Sequence, residues 1–351
     1  MTLLKKSLLA LSLLAGASAL SVPAAADQIQ PPAPACNRAC LENIAEAYLK
    51  ALVTHDPTKG PIAKNARYTE NSVVLNLPDG LWRTASGVGP YRLFIADPKM
   101  NTIAFQAKVQ ENGAPILLST RLVVDDGKIT RIEAMVARAN ATGGARDPRL
   151  PPAPVAPGAT PPAPPRGDQL GDRARPQFFQ TLAPGERRSR EDMVVIANSY
   201  FSALENNDGS RKPPFAPTCH RLENGNPTTN NPVPASGVRG AGNMGCAEGF
   251  ATGNYRIDTR LRFRRYLAID EERGLVYARI AFDHDGTVRE YTNALGQVQR
   301  PGGTAPFTWD IAEVFQIKNG MIDQVEALLV ANPYGVAPNW DDGIKMPSYG
   351  Y

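Results

Sequence analysis

Asp126-Gly127-Lys128-Ile129-Thr130-Arg131-Ile132-Glu133-Ala134 returns near the end of the chain as Asn319-Gly320-Met321-Ile322-Asp323-Gln324-Val325-Glu326-Ala327. Each stretch opens on a residue pair that accepts positive φ and continues as an alternating apolar run, which reads as a hairpin. Upstream, Ala47-Tyr48-Leu49-Lys50-Ala51-Leu52 followed by Glu70-Asn71 returns as Ser199-Tyr200-Phe201-Ser202-Ala203-Leu204 followed by Glu223-Asn224. A helix-first, hairpin-last order thus occurs twice and predicts a duplicated α+β unit.

The segments between these landmarks fit that reading. Leu41, Ile44, Ala45, Tyr48, Leu49 and Leu52 are spaced as one apolar helical stripe, and His55-Asp56-Pro57 ends it. Thr102 to Gln110 and Ala114 to Val124 read as strands joined at Asn112-Gly113, and Ile129 to Val136 follows the Asp126-Gly127 turn. Unit one is therefore expected as helices followed by a meander of long antiparallel strands. In unit two, Met193, Ala197, Tyr200, Phe201 and Leu204 mark a helix over Arg190 to Leu204. Strands are expected at Leu261 to Ile269, Leu275 to Asp283, Trp309 to Lys318 and Met321 to Leu329. Two insertions, Asn224 to Met244 and Asp285 to Ala305, distinguish unit two and would rim a pocket.

The ends and the middle have other compositions. Lys5, Lys6, the apolar run Leu8 to Leu20 and Ala24-Ala25-Ala26 read as a secretory signal peptide over residues 1–26. Its removal predicts an exported protein, periplasmic or secreted, with no membrane attachment. Residues 27–35 form a Pro/Ala leader expected to be disordered. The first domain is expected at 36–139 and the second at 188–335, with a tail over 336–351. Between the domains, residues 140–187 hold nine prolines from Pro148 to Pro165 and read as an extended linker rather than a packed element.

Charge and cysteines narrow the class. The formal charge of +4 falls to +2 once Lys5 and Lys6 leave, too balanced for a nucleic-acid binder. The four cysteines follow a signal peptide, which favours disulfides. Chain order suggests Cys36–Cys40 and Cys219–Cys246, although four cysteines allow three pairings. With three histidines and no C-x-x-C, no metal site is expected. G-x-S-x-G, P-loop, dinucleotide-binding and H-E-x-x-H patterns are all missing from the sequence.

The ordered set of a helical start, a kink, a curved meander and the closing hairpins resembles the SnoaL-like, nuclear-transport-factor-two-like superfamily. Val123 to Glu133 and Phe315 to Glu326 carry the hairpins. Cys36-Asn37-Arg38-Ala39-Cys40-Leu41, His55-Asp56-Pro57, Thr69-Glu70-Asn71 and Gly80-Leu81-Trp82-Arg83-Thr84-Ala85 are similar to an exported, uncharacterised subgroup of it. The resemblance implies two tandem cone-shaped domains, each a curved antiparallel sheet wrapped around N-terminal helices, with a pocket between sheet and helices. Members include isomerases, dehydratases, cyclases, lyases on lignin-derived dimers and non-catalytic binding proteins, mostly without a cofactor. They often dimerise through their sheets, so the two units could form an internal pseudo-dimer, a homodimer being the other arrangement.

Candidate residues follow from this frame. His55, at a helix end, reads as a solvated cap. His220 sits by Cys219, and His284 lies between Asp283 and Asp285, either of which could hold its imidazole as a general base. Glu70 and Glu223 are repeat equivalents, lining a pocket or bracing a corner. Glu313 shares a strand face with Trp309 and Ile311; if that face points inward, its carboxylate would titrate high. The catalytic candidates are therefore His220, Glu223, Glu313, His284 and Glu70. Arg67, Tyr68, Trp82, Tyr91, Tyr200 and Trp309 are the candidate lining residues for a small-molecule ligand. Two functions are expected to compete. One is a cofactor-independent acid–base lyase, dehydratase or isomerase acting on a hydroxylated aromatic molecule, lignin-derived compounds among them. The other is a non-catalytic exported module that binds small molecules or partners. Ionisable groups converging in one pocket would favour the enzyme.

Overall fold

The computed structural model describes residues 36–138, 170–232, 241–301 and 305–340. The expected signal peptide, the leader, residues 140–169 of the Pro-rich stretch and residues 341–351 of the tail lie outside the described residues. The α-helices among the described residues are α1 (Arg38–Val53), α2 (Leu81–Thr84), α3 (Arg190–Leu204) and α4 (Cys246–Ala251).

Each long helix opens on a side-chain cap. Asn37 accepts from the Cys40 N–H at 3.0 Å and Ser189 from the Asp192 N–H at 3.1 Å, supplying an acceptor that the first helical turn lacks. Leu41, Ala45, Tyr48, Leu49 and Leu52 of α1 are buried, as are Met193, Ala197, Tyr200, Phe201 and Leu204 of α3. Cys36 precedes α1 and Cys40 lies in its first turn, so the Cys36–Cys40 disulfide crosses the helix edge. The second disulfide, Cys219–Cys246, ties the start of α4 to a strand.

Two six-stranded sheets follow the same plan. The first contains β1 (Ile62–Glu70), β2 (Val73–Leu75), β3 (Ala85–Asp97), β4 (Thr102–Glu111), β5 (Ala114–Asp125) and β6 (Lys128–Ala137), in the order β2-β1-β6-β5-β4-β3. In the second half come β7 (Phe215–Glu223), β8 (Asn226–Pro227), β9 (Arg260–Asp270), β10 (Leu275–His284), β11 (Tyr291–Thr292), β12 (Val298–Gln299), β13 (Phe307–Lys318) and β14 (Met321–Pro333). The sheet order there is β8-β7-β14-β13-β10-β9, while β11 and β12 make a small hairpin within the second insertion. The antiparallel expectation needs correction. β3 to β6 form the antiparallel meander, but β1 pairs parallel to β6 and β7 parallel to β14, so both sheets are mixed. The closing hairpin leaves one edge free, and the strand after the first helix takes that edge in the same direction.

The repeated Glu-Asn sits where this parallel pair ends. Asn71, at φ 48°, donates to the Val136 carbonyl at 3.2 Å and accepts from the Val136 N–H at 2.7 Å. Asn224, at φ 50°, makes the same two bonds to Leu329, at 3.1 and 3.0 Å. Asparagine tolerates that backbone region, and its amide supplies the acceptor and donor that a ladder residue would.

The outer faces of the two sheets pack on each other. Tyr91, Leu93, Ile95, Leu117 and Met135 meet Leu267, Tyr277, Val314, Leu328 and Val330 in one buried cluster. Polar bonds across it are reciprocal. Arg38 of α1 pairs with Asp270 at the end of β9, and Arg190 of α3 pairs with Asp97 at the end of β3. Leu170, Ala174, Phe178 and Leu182 are buried in or against this layer, and Gln316 donates to the Gln177 carbonyl at 2.5 Å. The expected linker is thus corrected from residue 170 onward: that part is packed, because it covers the seam between the sheets. The tail also has contacts, since Trp340 donates to Thr69 at 2.8 Å and lies under the Arg67 guanidinium at 4.7 Å.

Candidate active site

The inner faces of the two domains hold different chemistry at equivalent positions. Across the first sheet the ladder runs Glu70, Ala134, Thr120, Phe105. Across the second it runs Glu223, Ala327, Glu313, Ala278. One step toward the strand starts, Tyr68 of the first domain corresponds to Arg221 of the second. The first domain therefore presents a phenol, a hydroxyl and a phenyl ring where the second presents a guanidinium, a carboxylate and a methyl group.

In the first domain the interior is occupied. Trp82 of α2 meets Tyr48 edge-on at 5.4 Å, and Phe105 lies 6.1 Å from Tyr48. Glu70 accepts from the Tyr68 hydroxyl at 2.7 Å, the Leu81 N–H at 2.7 Å and Arg138 at 3.0 Å. Gly80, at φ 64°, lies so close that a Cβ there would stand 2.3 Å from the Glu70 carboxylate. Glu70 is a bracing residue in this arrangement, with its oxygens taken up and α2 seated on it.

The second domain keeps a space open. Phe250 of α4 packs on Tyr200 at 5.0 Å, as Trp82 does on Tyr48. Whereas α2 runs directly into β3, residues 252–259 separate α4 from β9 and arch over the sheet. Beneath them lies a cavity of about 260 Å³. Its polar wall includes Tyr200, Arg221, Glu223, Tyr255, Asp258 and Glu313, and its apolar wall includes Trp309, Ile311 and Leu329.

The charges in this cavity are arranged around Arg221, which donates to Glu223 at 2.6 Å and to the Tyr255 hydroxyl at 2.6 Å. Its guanidinium lies 5.2 to 5.5 Å from the Phe250, Tyr255 and Tyr200 rings, an aromatic box suited to a cation. Burial works against the charge, but the neighbouring tyrosines and carboxylates hold the Arg221 pKa well above its ordinary value. Its Nε has no hydrogen-bond partner among the described residues. Opposite stands Glu313, 3% exposed. Burial, with repulsion from Glu223 and Asp258, pushes its pKa up to about 8 against the pull of Arg221 and Tyr200. A buried donor with a free N–H beside a carboxyl that titrates near neutrality can move a proton and hold a developing oxyanion.

His284 joins this wall from behind. Its Nε2 lies 2.8 Å from Asp258 Oδ1, a contact close in distance but bent from hydrogen-bond alignment. Burial raises the Asp258 pKa against the opposing pull of His284. The expected partners Asp283 and Asp285 are corrected here. Asp283 lies on the opposite face of β10, where Arg262 and Thr308 donate to it at 2.6 and 2.7 Å. Asp285 turns back to accept from Thr287.

The structure brings together Glu223, Glu313, Tyr200 and Trp309 in one cavity, with His284 adjoining. It sets the other candidates elsewhere. His220 alternates with Arg221 and Glu223 on β7 and so faces away; its ring is bonded by Asn230 at 3.1 Å, and burial lowers its pKa. Tyr91 lies between the sheets and donates to Glu326. Arg67, exposed, belongs to the tail contact. Tyr68, Trp82 and Glu70 form the packed interior of the first domain. Arg221, Tyr255 and Asp258 were not among the expected residues. Alternation from Glu223 marks Arg221, but Tyr255 and Asp258 lie on the arch, which has no period to read. Among the described residues no group of three or more His, Cys, Asp or Glu side chains is disposed to hold a metal ion.

A family model described as a domain of unknown function, DUF8021, matches residues 35–136 and 186–329. No curated protein matches the chain. Among solved structures, AclR, a proposed hydroxylase from Streptomyces galilaeus, is 15% identical, with a TM-score of 0.26 over 41% of this chain and 83% of AclR. The family match takes in both sheets and their leading helices, over more than half of the sequence, and the chain belongs to the DUF8021 family.

Proposed function

We propose that the second domain is an exported acid–base enzyme acting on a small hydroxylated aromatic molecule by elimination or isomerisation. The first domain serves as its structural partner. The convergence of Glu313, Glu223, Asp258, Arg221, Tyr200 and Tyr255 on one cavity carries this reading. In the deprotonated state Glu313 takes a proton from a substrate carbon. The electron pair left behind forms a double bond, and negative charge growing on a substrate oxygen is met by Arg221. Glu313 then returns the proton, to a departing hydroxyl in a dehydration or to another carbon in an isomerisation. The apolar and aromatic wall of Trp309, Ile311 and Leu329 suits the body of such a substrate.

The helix-then-hairpin order supports reading each half as a cone-shaped domain of the SnoaL-like type, and the reciprocal Arg38–Asp270 and Arg190–Asp97 pairs support an internal pseudo-dimer. Two disulfides fit an oxidising compartment. No helix among the described residues is long and apolar enough to cross a membrane.

The test is a thermal-stabilisation screen of hydroxylated aromatic compounds, followed by turnover assays on the hits. Turnover lost in Glu313→Gln and kept in His220→Ala supports the assignment. Hits that bind but are never converted, under any pH between 6 and 9, would favour a binding module instead.

A further inference from the structure

We infer that a second cavity, behind the first, is a binding subsite for the hydroxyl group of a phenol. This space of about 240 Å³ is lined by Ile257, His284, Val288, Phe307 and Trp309, with Asp285 at its edge. It shares Ile257 and Trp309 with the first cavity. Its walls are apolar and aromatic. His284 stacks on Phe307 with ring centres 4.3 Å apart and planes 5° apart, and meets Trp309 edge-on at 4.4 Å.

The polar feature of this wall is the imidazole. His284 is 4% exposed, and its Nδ1 has no hydrogen-bond partner among the described residues. A buried ring nitrogen without a partner is costly and uncommon, which marks it as a place for a ligand atom. Asp285 does not serve, because its carboxylate already accepts from the Thr287 N–H and hydroxyl at 2.9 and 2.7 Å.

The Asp258 contact decides which ligand atom fits. With the Asp258 carboxylate 2.8 Å from Nε2, the favoured tautomer carries its proton on Nε2, bent though the contact is, and leaves Nδ1 toward the cavity. When the pair holds one proton, Nδ1 is an acceptor; when it holds two, Nδ1 is a donor. A hydroxyl satisfies both states, whereas an ether or carbonyl oxygen satisfies only the second. The stacked Phe307 and Trp309 favour an aromatic carrier for that hydroxyl. The inference stands apart from turnover at Glu313, since it concerns binding alone.

The experiment titrates the full chain at pH 8 with 4-ethylphenol and with its methyl ether, 4-ethylanisole, following binding by NMR. The phenol is expected to bind about tenfold or more tightly than the ether, the value of one buried hydrogen bond. His284→Phe keeps a stacked ring and is expected to erase that preference, while Glu313→Gln leaves it within about twofold. Should His284→Phe not fold, the nitrogen-15 spectrum of the wild-type imidazoles decides. The phenol should move the His284 Nδ1 resonance and leave His55 and His220 in place. Equal affinity for phenol and ether, a preference that survives His284→Phe, no phenol binding at millimolar concentration, or an unmoved Nδ1 resonance would each overturn the inference. Loss of binding in Glu313→Gln alone would place the phenol in the first cavity.

Discussion

Glu313 and Thr120 stand at the same rung of equivalent ladders, and the exchange converts a packed position into an ionisable one. A pKa of about 8 means that most Glu313 is protonated at neutral pH. A base must be deprotonated to act, so kcat/KM is expected to rise as pH passes through about 8 and then level; a pH profile on any converted substrate checks this. Glu313→Gln should lower turnover by about 10²- to 10⁴-fold, while the melting temperature stays near wild type because the protonated acid and the amide are close in shape. Asn224 makes a different case. Replacing it with Ala removes both bonds to Leu329 and leaves an alanine at φ 50°. A loss of about 2–3 kcal/mol is expected in urea denaturation, without any selective change in substrate affinity.

At the scale of elements, the two domains differ in the segment after the short helix under the sheet. α2 leads directly into β3 and Trp82 closes the interior; residues 252–259 after α4 instead leave a roof with space below it. The Cys219–Cys246 bond holds that roof's helix against β7. Ala327 lies on the cavity floor, at the rung between Glu223 and Glu313. Ala327→Phe should fill much of the space and abolish ligand-induced stabilisation, with the apo protein melting within a few degrees of wild type. A variant that still binds ligand as tightly would show that the cavity is not the ligand site. The meander strands β4 to β6, the Asn-Gly and Asp-Gly turns and the helix over Arg190 to Leu204 are legible in the sequence, because each is encoded by neighbours in the chain; β3, with Gly87, Gly89 and Pro90 in its first half, is not. His220 stands three residues before Glu223 on β7, and period-two alternation sets it on the opposite face, away from the cavity.

At the scale of the whole molecule, the seam between the sheets contains charge as well as apolar side chains. Glu326 is buried there, bonded by Tyr91 of the first domain, and burial pushes its pKa up to about 7 against the pull of Tyr91 and Arg175. The folded state therefore holds a proton that the unfolded chain releases near pH 4.5. Stability should fall as pH rises from about 4.5 to about 7 and change little from this group above that, by up to about 3 kcal/mol. Thermal or urea melts at pH 5.5 and 8.5 should show the part of that loss above pH 5.5, about 2 kcal/mol, in wild type and a smaller one in Glu326→Gln. Because each sheet already covers the other's outer face, the mass in solution is expected to be that of a single chain; an obligate homodimer would contradict the pseudo-dimer reading.

The sequence by itself determined the duplication, the leading helix and closing hairpin of each half, and the one strand face shared by Trp309, Ile311 and Glu313, since these rest on local periodicity and on similarity between distant segments. Only the tertiary structure decided that Asp258, rather than Asp283 or Asp285, stands beside His284. It also decided that Arg221 stands at the centre of the cavity and that the first domain's interior is filled. Those outcomes depend on which strands lie side by side and on how far an irregular arch stands off the sheet, and no periodicity in the chain records either. The repeat that set the fold thus left the chemistry to its differences: a carboxylate for a hydroxyl, a guanidinium for a phenol, and a longer path from helix to strand.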